Sequence, residues 1–227
     1  MAVVLVLYIV GGYVAYPWLR TRFSRTPRLL QWSRNPEKYA DWTVRAGEAC
    51  GKAPFQMPTT GYIGFLWGDS FQPLHRHQGL DIFSGGLSGE APVVAAYAGY
   101  LTRLPDWKSS VIIRIPADPL HPDRQIWTYY THMASDQGSS YISPDFPPGT
   151  VKKYIPAGTL LGYQGNYSGD PLSPVWVHLH FSIVLDRDGA FRNELEFRNT
   201  VDPSPYFGLP LNASQNPADV PVCKEVR

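Results

Sequence analysis

From Gly61 to Leu185 the chain is broken into short runs rich in β-branched and aromatic residues, each closed by glycine, proline, aspartate or serine. GYIGFLWG, LDIFSG, APVVAAYAGYLTRL, SVIIRIP, QIWTYYTHM, AGTLLGYQG and VWVHLHFSIVL follow one another in this way. Such punctuation predicts an all-β domain and argues against βαβ units. The 22 prolines, 20 glycines, 14 tyrosines and 7 tryptophans point the same way, to many turns joining aromatic-rich strands, and long helices are not expected.

The chain has 227 residues, room for one domain with extensions. With 44% hydrophobic and only 17% charged residues it is not a disordered sequence. A formal charge of +1 argues against a nucleic-acid binder, which needs a basic excess to neutralise phosphates. The predicted organisation is a membrane anchor at 1–19, a linker at 20–56 packed loosely on the domain, the β domain at 57–208 and a surface tail at 209–227.

The anchor rests on residues 2–19, AVVLVLYIVGGYVAYPWL, which carry no charge and as a helix would span ~27 Å, just short of a bilayer core. No basic residue precedes the run and no small-x-small cleavage site follows, so it is a poor signal peptide, and it reads as an uncleaved anchor in preference to a buried core helix. Arg20, Arg22, Arg25 and Arg28 come next, and the positive-inside rule would keep that side in the cytoplasm. Within the linker, NPEKYADWTVRAGEAC reads as a short helix. Cys50 and Cys223 fit no metal-binding spacing; they are either one bridge between the domain's ends, in an oxidising compartment, or two free thiols. The loop from Ala134 to Lys153 is too long for a hairpin turn and is either a functional rim or a surface insertion.

Six histidines occur, at 75, 77, 121, 132, 178 and 180. His178 and His180 alternate in an apolar strand and so share a face, with Leu179 and Phe181 on the other. Asp81 opens the apolar run LDIF and needs a partner, since a lone buried carboxylate is heavily penalised. A cation held by His77, Asp81 and one distant histidine would supply it, with Gly79 permitting close backbone approach. Two imidazoles, one carboxylate and an open fourth position make a catalytic zinc site; calcium or magnesium would want more oxygen ligands. His132 falls in the strand candidate YYTHM, with Tyr130 expected on its face, while His75 and His121 sit in turn-like stretches and carry no chemistry.

Taken in order, His-x-x-x-Asp, Tyr-x-His and His-Leu-His-Phe resemble the motifs of the lysostaphin/LytM-type zinc metallopeptidases, endopeptidases that cut the peptide part of bacterial peptidoglycan. The likeness runs from about Gly61 to Leu185 and takes in APVVAAYAGYL and IPAGTLLGYQGNYSG. It implies an antiparallel β-sheet, barrel-like sandwich with a groove floored by the sheet. It implies one zinc ion per chain held by His77, Asp81 and His180, with His132 and His178 as catalytic residues off the metal. The implied partner is peptidoglycan, which lies outside the cytoplasm; the anchor read at 1–19 would tether the domain to the membrane, in an orientation that the following arginines oppose. Three departures bear on substrate choice: SPVWV before the paired histidines, where Trp176 could narrow the groove; Ser182 where an acidic or amide residue is common; and the long loop after His132.

A zinc ion would polarise the scissile carbonyl and lower the pKa of water toward ~7. No HExxH glutamate exists to take the proton, so His178 is the natural base and His132 a donor to oxyanion or leaving amine, an assignment the sequence alone does not fix. Two other classes compete. A catalytically silent wall-binding or regulatory relative would be expected to lose ligands. A phosphocarrier with a phosphorylated histidine would not need Asp81 near His77.

Overall fold

The computed structural model of the protein describes residues 16, 18–19, 21–70, 75–215 and 220–223. The anchor expected at 1–19 lies outside them apart from Tyr16, Trp18 and Leu19. Among the described residues no helix is long and apolar enough to cross a membrane.

The chain forms β1 (Thr43–Val44), β2 (Gly61–Phe65), β3 (Leu80–Phe83), β4 (Pro92–Val94), β5 (Gly99–Thr102) and β6 (Val111–Ile115). β7 (Ile126–Thr131), β8 (Lys153–Ile155), β9 (Leu160–Tyr163), β10 (His178–Arg187), β11 (Ala190–Phe191) and β12 (Thr200–Val201) follow. The helices α1 (Thr26–Arg34) and α2 (Ser204–Phe207) flank them. The main sheet runs β1-β2-β3-β10-β7-β6-β5-β8, with β11 and β12 also paired to β10, and β4 and β9 form a small second sheet. The strand pairings are antiparallel, so the all-β class holds.

Alternation decides which residues are core. Leu80 and Ile82 of β3, Leu179, Phe181 and Ile183 of β10, and Ile126 and Tyr130 of β7 all enter one large apolar cluster. Their neighbours Asp81, His178, His180, Tyr129 and Thr131 therefore face the opposite side, where the groove lies.

The stretch read as a loose linker is not one. α1 carries a proline in its first turn, where a missing N–H costs nothing, and buries Leu29 and Trp32. Trp32 stacks on Tyr62 with ring centroids 5.4 Å apart, and both pack with Leu29 and Phe83. The helix expected in NPEKYADWTVRAGEAC is reduced to a 3-10 turn at Ala40–Trp42, after which Thr43 and Val44 pair with β2. The tail is also more than a surface strap, because Leu209, Leu211 and Ala213 are buried in the main core. Farther on, Cys223 is bonded to Cys50, with Cα atoms 5.0 Å apart. The Ala134–Lys153 loop packs inward through Ile142 and Phe146.

Candidate metal centre

β3 and β10 bring the first two candidate ligands together, since Asp81 and His180 are directly opposed in the antiparallel register. His180 Nδ1 lies 2.8 Å from Asp81 Oδ1. His77 approaches from the segment before β3, placing Nε2 3.0 Å from the same oxygen and 3.1 Å from His180 Nδ1. Gly79 allows that approach: a Cβ there would collide with the Phe181 carbonyl oxygen and crowd Ser182 Oγ. These three side chains are the group of His, Cys, Asp or Glu, among the described residues, whose donor atoms could share an ion.

The geometry suits zinc. Donors ~2.0–2.1 Å from a tetrahedral ion stand about 3.3 Å from one another, close to the spacing of these three atoms. The other ring nitrogens are already engaged, which fixes the tautomers. His77 Nδ1 donates to the Leu66 carbonyl at 3.0 Å, and His180 Nε2 faces Ser182 Oγ at 2.9 Å. The Leu66 backbone is itself held, since its N–H donates to Asp69 Oδ2 at 2.7 Å and Asp69 Oδ1 accepts from the Thr21 hydroxyl at 3.1 Å. With one carboxylate oxygen and two imidazoles, the set lacks the oxygen ligands that calcium or magnesium requires.

The two remaining candidates flank this triangle. His178 is on the same strand face two residues before His180, with Nε2 3.7 Å from Asp81 Oδ1 and its ring stacked on Phe83. Its Nδ1 donates to the Trp176 carbonyl at 2.6 Å. His132 does not share a strand face with Tyr130 as expected. β7 ends at Thr131, and Tyr130 enters the core, where its hydroxyl accepts from the Ala96 N–H. His132 itself has φ 71°, a left-handed conformation uncommon for a non-glycine residue, and this swings its ring toward the groove. Its Nδ1 donates to the Tyr167 carbonyl at 2.6 Å, and its ring lies 4.4 Å from that of His178.

Burial, reinforced by the neighbouring His178, pushes the His132 pKa down to about 3. Burial also lowers that of His178, with Asp81 pulling only partly the other way. Both imidazoles are therefore neutral near pH 7, and each keeps a lone pair on Nε2 because Nδ1 carries the proton. His180 behaves oppositely. Burial would lower its pKa, but the hydrogen bond to Asp81 and the Glu194 carboxylate raise it to about 10 in the metal-free protein. Asp81 is buried, which opposes ionisation, yet His77, His178 and His180 hold its carboxyl well below the usual range.

The groove has two recesses meeting at His132 and His180. One, of about 520 Å³, is walled by Leu29, Leu30, Phe65, Phe83, Val175 and Trp176. The other, of about 330 Å³, presents Ser109, Ser110, Tyr129, Thr131, Tyr167 and Ser168. Its walls thus come from α1 and the 165–177 loop. Trp176 is 55% exposed and edge-on to Phe83, so it borders the apolar recess without filling it. Neither the α1 wall nor Glu194 was legible beforehand, since both lie in segments without strand periodicity.

No protein-family model matches the chain, and no curated protein does. Among solved structures it is similar to the antimicrobial peptidase lysostaphin from Staphylococcus simulans, at 17% identity and TM-score 0.38 over 73% of this chain and 55% of that one. The catalytic domain of the prophage-encoded M23 protein EnpA from Enterococcus faecalis, in a point-mutant form, is similar at 19% identity and TM-score 0.38, over 66% of this chain and 95% of that one. These are M23/lysostaphin-type peptidases. A zinc-containing peptidase from Vibrio cholerae is similar at 16% identity and TM-score 0.36, over 69% of this chain and 39% of that one. The chain thus spans about half the length of the lysostaphin structure.

Proposed function

We propose that this chain is a zinc-dependent endopeptidase of the lysostaphin/LytM type that hydrolyses peptide bonds in peptidoglycan stem peptides or cross-bridges outside the cytoplasm. One observation carries the reading: a His77–Asp81–His180 donor triangle and two neutral imidazoles, His132 and His178, border the same groove. The peptidoglycan substrate rests on the sequence motifs.

Bound in the triangle, zinc would supply Lewis-acid polarisation of a carbonyl and activated water at neutral pH. The rest belongs to the chain. The Nε2 lone pair of His178 or His132 accepts a proton as water attacks the scissile carbonyl. The imidazolium so formed faces the developing oxyanion and can return that proton to the leaving amine. The backbone carbonyls of Trp176 and Tyr167 hold the two rings in the required tautomer. On the substrate side, the apolar recess favours an apolar side chain on one flank of the bond, and the hydroxyl-lined recess a polar or small one on the other.

Digestion of purified peptidoglycan sacculi with the protein tests the reading. New amine termini that disappear with a chelator and return with zinc are expected. Failure to release them, with zinc bound, would favour a silent relative.

A further inference from the structure

One buried group at the site has no role in the chemistry above. Glu194 Oε2 is buried without a hydrogen-bond partner. It lies 3.8 Å from His180 Nε2, the ring nitrogen turned away from Asp81 and His77. A buried carboxylate oxygen without a partner is costly, so its placement beside an N–H donor calls for an explanation. Accident of a loose loop does not explain it, because the segment is fastened on both sides. Asn199 Nδ2 donates to the Asn193 carbonyl at 2.8 Å, and Gln78 Nε2, next to His77, donates to the Leu195 carbonyl at 2.8 Å.

We propose that Glu194 is a positioning residue for the metal ligand His180. Ser182 Oγ, 2.9 Å from Nε2, is a neutral acceptor on the ligand's own strand. Glu194 brings a negative charge to the same N–H from a different segment. Together they hold the proton on Nε2, keep the Nδ1 lone pair aimed at the ion, and make the imidazole a stronger donor to metal. The inference rests on the reading that His77, Asp81 and His180 hold zinc.

Zinc affinity by chelator competition, with the cobalt(II) absorption spectrum as a second readout, tests it on the full chain. Glu194→Ala should weaken zinc binding ~10–100-fold and shift the cobalt bands. Glu194→Gln, which keeps the shape and one acceptor oxygen, should fall between wild type and Glu194→Ala; it also carries the test alone if the alanine variant does not fold. Ser182→Ala and Glu194→Ala should be non-additive, because both act on one N–H. Affinity and spectrum unchanged in both Glu194 variants, or strict additivity with Ser182→Ala, would overturn the proposal. A wild-type chain that binds no zinc would instead overturn the zinc reading beneath it.

Discussion

Asp81 and His180 face each other across β3 and β10, and His180 Nδ1 comes to 2.8 Å from Asp81 Oδ1. Cross-strand register alone sets this pair, so the loop bearing His77 has only one donor left to deliver. Removing either strand residue leaves two donors, too few for a tight site. Asp81→Ala or His180→Ala should therefore lose most bound zinc, and His77→Ala likewise. His75→Ala is the control and should keep it. Metal analysis after dialysis decides, and full occupancy in Asp81→Ala would remove Asp81 from the ligand set.

The metal-free and metal-loaded proteins should respond to pH in opposite directions. The folded-state pKa of His180 is raised from 6.5 to about 10. Its contribution to the stability of the metal-free fold is thus fully present below about 6.5 and is lost as pH rises through about 10. Zinc must displace that proton, so zinc affinity should climb over the same window. Thermal melts of chelator-treated protein, beside zinc titrations, check both slopes. A metal-free stability that does not fall toward the alkaline end would contradict the raised His180 pKa.

Gly79 is expected to matter as much as a ligand without being one. A methyl group there meets the Phe181 carbonyl oxygen, so the His77 segment must back away from β10. Gly79→Ala should destabilise the fold by ~1–3 kcal/mol through overpacking. It should also reduce zinc content although every donor is retained. Unchanged melting and metal content would show that the segment can shift at no cost.

The long alternating run at β10 and the apolar setting of Asp81 made the site's floor legible, because period-two patterning fixes which residues share a face. The placement of His132 was not legible. Its left-handed backbone depends on what Gly165 and Tyr167 allow around it, not on the YYTHM run. α1 was missed because only Leu29 and Trp32 of its nine residues are buried, and their pocket is made by Tyr62 and Phe83 from distant strands. The tail was misread for a similar reason: Leu209, Leu211 and Ala213 are too sparse to announce a core segment, yet each is buried.

Trp176 should influence which peptides are cut more than how fast the bond breaks. It borders the apolar recess and is half exposed, so its loss leaves the core intact. Trp176→Ala should lower kcat/KM for substrates with an apolar flanking residue ~10-fold or more, about the value of one methylene group in an apolar pocket. Substrates with glycine at that position should be little affected. Equal losses on both would show that Trp176 supports His178 rather than the substrate.

The most direct measurement pairs zinc content with single-turnover rate in wild type, Asp81→Ala, His132→Ala and His178→Ala. Asp81→Ala should lose metal and activity together. The two histidine variants should keep zinc while the rate falls ~10²–10⁴-fold, mostly in kcat, because those rings act on the transition state. Zinc loss in His178→Ala would mean that ligand and base are exchanged within the His-Leu-His pair. Near-normal turnover in both histidine variants, with zinc retained, would contradict the proposed chemistry.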